Sequence, residues 1–174
     1  MNEEVRKERR PLPLGIQTFS TLREGGYYYV DKTPLIRELV RGGRHYFLSR
    51  PRRFGKSLLV STLKELFEGN EPLFRGLDIH PHWDWSVKYP VVRLSFGGDV
   101  DTVEGLEDNL IGQLYRIEQA FDLKPPPVKS ATERLRHILY QLHQTTGKQA
   151  VVLVDEYDRP VLNVLEDGEK ARAN

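Results

Sequence analysis

The chain has 174 residues, enough for one domain with a sizeable core, and its 39% hydrophobic and 29% charged residues are the balance of an ordinary globular protein. A net charge of +1 excludes a global field that would draw in nucleic acid or an anionic membrane. The absence of cysteine excludes disulfides, thiolate metal sites and cysteine nucleophiles.

Residues 1–13 are charged and lack the apolar stretch of a signal peptide, so they read as a flexible lead-in. No apolar run is long enough to span a bilayer, and a cytoplasmic protein is expected. Residues 27–30 (YYYV) read as a short strand. A helix follows, with Thr33 as N-cap, Pro34 at the first helical position and Gly42-Gly43 closing it. The compact apolar run RHYFLSR suits a buried strand that feeds a loop, and from Ser57 the spacing of Leu59, Leu63 and Leu66 predicts a helix up to Gly69. PVVRLSF reads as a second buried strand. A long helix then places Val103, Leu106, Leu110, Leu114, Ile117 and Phe121 on one face, with Asp101 and Glu104 as a capping-box-like start. After the break at residues 125–127, Ser130 and Glu133 open a helix that carries Leu135, Ile138, Leu139 and Leu142. The apolar strand 150–154 ends in Asp155-Glu156. This order predicts an α/β fold with a mostly parallel sheet, one domain over 14–165 and a tail over 166–174.

The stretch FLSRPRRFGKSLLVSTL ends like a phosphate-binding loop, but the usual G-x-x-x-x-G-K-[ST] pattern has Arg50 in place of its first glycine. A phosphate loop needs a strand, a tight turn with convergent N–H groups, the positive end of a helix and a lysine. Residues 45–67 supply these in order. Gly55 allows close backbone approach, Lys56 would reach the β/γ-phosphates, and Ser57 would sit on Mg²⁺. The candidate nucleotide-binding residues are Arg50, Pro51, Arg52, Arg53, Phe54, Gly55, Lys56, Ser57 and Leu58. The arginines would add charge near phosphates or face another anion. The plainer alternative is a basic surface loop before an ordinary helix.

An acid at the C-terminal end of a parallel strand belongs to the crevice where such sheets bind ligands. Asp155 would hold Mg²⁺ with Ser57, and Glu156 would orient the attacking water as general base, so Lys56 and Glu156 are the candidate catalytic residues. A solvated strand end is the plainer reading here. With no Asn-Lys-x-Asp guanine-reading motif, ATP is preferred to GTP. His80-x-His82 lacks a third ligand and reads as a plain loop, and Trp83 and Trp85 read as packing residues rather than a base-stacking pair. Asp158 reads as a surface or capping residue.

Four phrases together resemble the prokaryotic AAA-ATPase-like family: LPLGIQTFSTLREGGYYYVDKTPLI, YFLSRPRRFGKSLLVSTLKELFEG, YPVVRLSF and VVLVDEYDRPVL. The resemblance runs from about residue 11 to 165, and VDKTPLI and SRPRRFGKS are its most specific parts. It implies a P-loop NTPase fold of three αβα layers, with ATP and Mg²⁺ as cofactors and ATP hydrolysis as the activity. It makes the arginine at position 50 a family feature, and it places 29–33 (YVDKT) against the nucleotide pocket. The residues themselves suggest only a surface salt pair between Asp31 and Lys32. Longer members of the family carry a restriction-endonuclease-like nuclease domain downstream, which implies a nucleic-acid partner; homo-oligomerisation is left open.

Such ATPases place a further strand, with a polar sensor residue, after the acidic one, and no apolar run remains for it beyond Glu156. The sheet is therefore expected to be incomplete at its C-terminal end, and the chain to be the N-terminal part of a longer protein. Two alternatives stand beside the ATPase: a nucleotide-gated regulatory module with little turnover, and a nucleic-acid-processing component linked to a nuclease.

Overall fold

Phe19 and Leu22, three residues apart, bury one side of a short opening helix, α1 (Phe19–Glu24). The computed structural model describes residues 10–49, 51, 53–97, 102–128 and 130–157. They fall into two compact units, Met1–Ser86 and Val87–Asn174, each treated by itself below.

In the first unit α1 packs on α3 (Lys56–Phe67) and on a 3₁₀ turn at Glu71–Phe74. Phe19, Leu66 and Phe74 are fully buried, with the Phe19 and Phe74 rings 4.9 Å apart. Two polar contacts tie this packing together: the Phe19 N–H donates to Ser61 Oγ at 2.9 Å, and Thr62 Oγ1 donates to the Leu58 carbonyl at 2.8 Å. The Arg23 guanidinium binds the carbonyls of Leu73 and Arg75, both at 2.7 Å, and so ties α1 to the turn.

Helix α2 (Thr33–Gly42) ends at the expected glycines, but Thr33 is its first helical residue and not its cap. The Asp31 carboxylate lies two residues upstream and accepts the Thr33 N–H at 2.8 Å. The expected strand at 27–30 is irregular chain, as is 45–49, where Tyr46 and Phe47 are 52% and 74% exposed. A strand exists only within a ladder. The one described ladder joins two strands of the second unit, β1 (Val91–Ser95) and β2 (Val151–Asp155).

In that unit β1 and β2 pair in parallel, with Val91 opposite Val151 and Ser95 opposite Asp155. Parallel strands need a long crossover, and α4 (Val103–Ala120) and α5 (Ala131–Thr146) supply it. Val92, Leu94, Leu114, Leu123, Ile138 and Leu142 form the core. The chain is thus mixed α/β with a small parallel two-stranded sheet. β2 is less buried than a continuous apolar run suggests, since Val152 and Val154 are 40% and 38% exposed.

Leu114, Ile138 and Leu142 are buried as the helical spacing predicts. Phe121 lies just past the end of α4 and is exposed; Asp122 turns the chain through a left-handed residue (φ +51°) and Leu123 enters the core in its place. Thr102 caps α4, its Oγ1 accepting the Gly105 N–H at 3.0 Å, while Asp101 and the Glu104 side chain lie outside the described residues. Ser130 makes no side-chain cap to α5; the Glu107 carboxylate of α4 takes the Ala131 N–H instead, at 3.3 Å. Among the described residues no helix is long and apolar enough to cross a membrane.

Candidate functional site

The phosphate-loop motif belongs to the first unit. Arg53 (φ +68°) and Gly55 (φ +78°) are both left-handed, with an exposed Phe54 between them. That conformation costs an L-residue such as arginine roughly 1–2 kcal/mol, and glycine no steric penalty. Gly55 is the N-cap of α3; its carbonyl accepts the Leu59 N–H at 3.0 Å. No side chain caps this helix end and no acidic residue lies in its first turn. The first-turn amides and the helix dipole therefore favour an anion there. Lys56, Ser57 and Leu58 are the first three helical residues and are half-buried, while Pro51 is exposed. Arg50 and Arg52 lie outside the described residues.

The acidic pair belongs to the second unit. Asp155 ends β2 and is buried; its Oδ2 lies 3.5 Å from Arg93 Nη2, and its Oδ1 accepts the Glu156 N–H at 3.0 Å. Glu156 is left-handed (φ +54°) and exposed. The Phe96 N–H donates to the Asp155 carbonyl at 3.1 Å, so the ends of β1 and β2 are joined beside the two acids.

Gln113 of α4 completes this end of the sheet. Its Oε1 accepts the Ser95 N–H at 2.8 Å, and its Nε2 donates to the Ser95 carbonyl at 2.7 Å and to Asn109 Oδ1 at 2.6 Å. One amide side chain thus satisfies both main-chain groups of Ser95, as a neighbouring strand would. Sequence reasoning missed Gln113, Asn109 and Arg93, and the only signal for Gln113 is a long polar side chain next to the buried Leu114.

In the YVDKT motif, Asp31 is not half of a surface salt pair. Its Oδ1 accepts both the N–H and the Oγ1–H of Thr33, at 2.8 and 2.7 Å, and its Oδ2 accepts the Asp78 N–H at 2.8 Å. Thr33 Oγ1 accepts the Ile79 N–H at 3.1 Å, and Arg37 lies 3.4 Å from the Asp78 carboxylate. The start of α2 is thereby fastened to residues 78–79. Burial pushes the Asp31 carboxyl up, but the hydrogen bonds from Asp78 and Thr33 and the charge of Arg23 outweigh it and hold the group below its ordinary range.

His80 Nε2 sits 3.1 Å from Glu71 Oε1, and the His80 carbonyl accepts Trp85 Nε1–H at 2.8 Å. Trp85 packs on Phe74 and Trp83 on Phe67, with ring centres 5.2 and 5.5 Å apart, so both tryptophans serve packing within this unit. Among the described residues no group of three or more histidines and carboxylates is arranged to hold a metal ion. Asp158 lies outside them.

Comparison with known proteins bears on the whole chain. A family model described as "Predicted AAA-ATPase" matches residues 13–174. A protein of Azotobacter chroococcum mcd 1, described as "Uncharacterized protein in vnfD 5'region", is 51% identical over 166 residues. That alignment covers 94% of this chain and 32% of the relative, so the chain spans about a third of the relative's length. No solved structure matches. The left-handed Gly55 before Lys56-Ser57, the acids closing a parallel strand, and a family match over nearly the full length agree: the chain belongs to the AAA-ATPase-like family.

Proposed function

We propose that this chain is the ATP-binding part of a Mg²⁺-dependent, cytoplasmic P-loop ATPase with a three-layer αβα architecture. The observation that carries this reading is the start of α3, where a left-handed Gly55 opens a helix whose first turn has no capping side chain and no acid, directly before Lys56 and Ser57. In this reading the first-turn amides and Lys56 bind the terminal phosphates. Arg53, with Arg50 and Arg52, adds positive charge to the same loop. The Ser57 hydroxyl and the Asp155 carboxylate are hard oxygen donors of the kind Mg²⁺ takes, and they would hold the ion, directly or through water. The bound ion would supply charge to neutralise the β- and γ-phosphate oxygens. Glu156, exposed at the end of β2, would accept a proton from the attacking water and orient it.

The test is ATP affinity of the full-length protein against Lys56→Ala. Loss of a charge-assisted contact of about 1.5–3 kcal/mol predicts affinity weaker by roughly 10- to 100-fold. Equal affinity in both proteins overturns the reading.

A further inference from the structure

Gly97 lies two residues past β1, and the Glu156 carboxylate occupies the place where its side chain would be. A Cβ on Gly97 would meet Glu156 Oε2 at 1.5 Å and its Cδ at 2.7 Å, closer than atoms can approach. The main chain at this point is anchored. The Gly97 N–H donates to Ser95 Oγ at 3.2 Å, and the Ser95 main chain is held on both sides by Gln113. Across the ladder, the Phe96 N–H binds the Asp155 carbonyl, and the Glu156 N–H binds the Asp155 carboxylate. Glu156 thus leaves β2 through a left-handed residue with its carboxylate laid over bare backbone.

We propose that Gly97 is a positioning residue for Glu156: the missing side chain makes the seat that sets where the Glu156 carboxylate rests. The inference builds on the water-orienting role proposed for Glu156. A methyl group at position 97 collides with the far end of a flexible side chain and otherwise meets Ser95 Oγ, at 3.3 Å, so the carboxylate moves off and the fold remains. A displacement of about 1 Å at a reacting group is enough to cost on the order of 10²-fold in rate.

The experiment uses the full-length protein with Gly97→Ala, Glu156→Gln and the double variant, measuring ATP affinity and single-turnover hydrolysis, together with a crystal structure of Gly97→Ala. The expected result is unchanged ATP affinity, hydrolysis slower by roughly 10²-fold in Gly97→Ala, no further loss when Gly97→Ala is added to Glu156→Gln, and a carboxylate displaced from residue 97. The same fold-loss in both backgrounds, or a carboxylate that stays in place while the backbone at 96–97 yields, overturns the inference. Hydrolysis that depends on Glu156 but survives Gly97→Ala overturns this inference alone. Wild-type hydrolysis by Glu156→Gln overturns the water-orienting role and this inference with it.

Discussion

Glu118 on α4 has a fully buried side chain, and both its carboxylate oxygens are held by Arg134 of α5, at 2.9 Å from Nε and 2.5 Å from Nη2. Arg134 in turn lies near the face of Tyr115, with 5.8 Å from its guanidinium carbon to the ring centre. The bidentate geometry matches a planar guanidinium to a planar carboxylate and locks the register of the two helices.

Breaking this pair is expected to be costly. Arg134→Ala leaves a carboxylate buried without its cation and should destabilise the protein by roughly 3–5 kcal/mol. Glu118→Ala should cost less, because the Arg134 side chain keeps 14% of its surface in solvent. A Glu118→Leu/Arg134→Met double replacement should come back close to wild-type stability, since two apolar groups have no charge to desolvate. Urea unfolding of the four proteins measures all of this, and a double variant as unstable as Arg134→Ala contradicts it.

Asp31 should show itself in acid. Its folded-state pKa is depressed, so its contribution is fully present above the unfolded value of about 3.9 and is lost as the pH falls through the folded value. Asp31→Ala should cost about 1 kcal/mol at pH 7, the usual worth of a helix-start cap. The gap between Asp31→Ala and wild type should narrow below about pH 4. Thermal unfolding of both proteins at pH 7, 5, 4 and 3 reads the effect, and a gap that stays constant with pH rules out the carboxylate as its source.

Gln113→Leu should leave the Ser95 N–H and carbonyl without the partners they now have at 2.8 and 2.7 Å. Stranding such groups costs about 1–3 kcal/mol. Hydrogen exchange at the Ser95 amide should quicken far more than exchange at Val92 in the same strand. Equal change at both positions would mean that Gln113 acts on global stability and not on the end of β1.

Much of the local structure is legible because it is written locally. Glycines 42 and 43 end α2, and the apolar spacing of Leu114, Ile138 and Leu142 marks the buried faces. β1 and β2 lie within a residue of where apolar runs predict them. The run at 45–49 has the same composition and is not a strand, because apolar composition marks a segment that can pair without naming its partner. Glu118 was unreadable for a related reason. A glutamate on an amphipathic helix defaults to solvent, and only the approach of Arg134, sixteen residues later, makes its burial tolerable.

From the residues alone come the family, the two motifs, the helices α2 and α3 and the order β1, α4, α5, β2, since each rests on residues adjacent in the chain or at helical spacing. Tertiary structure decided which main-chain groups the side chains satisfy. Asp31 reaches 47 residues to Asp78, Gln113 reaches 18 back to Ser95, and Glu156 lies over Gly97. Hydrogen bonds and close contacts act over about 3 Å in space, so separation along the chain says nothing about them until the fold has brought the groups together.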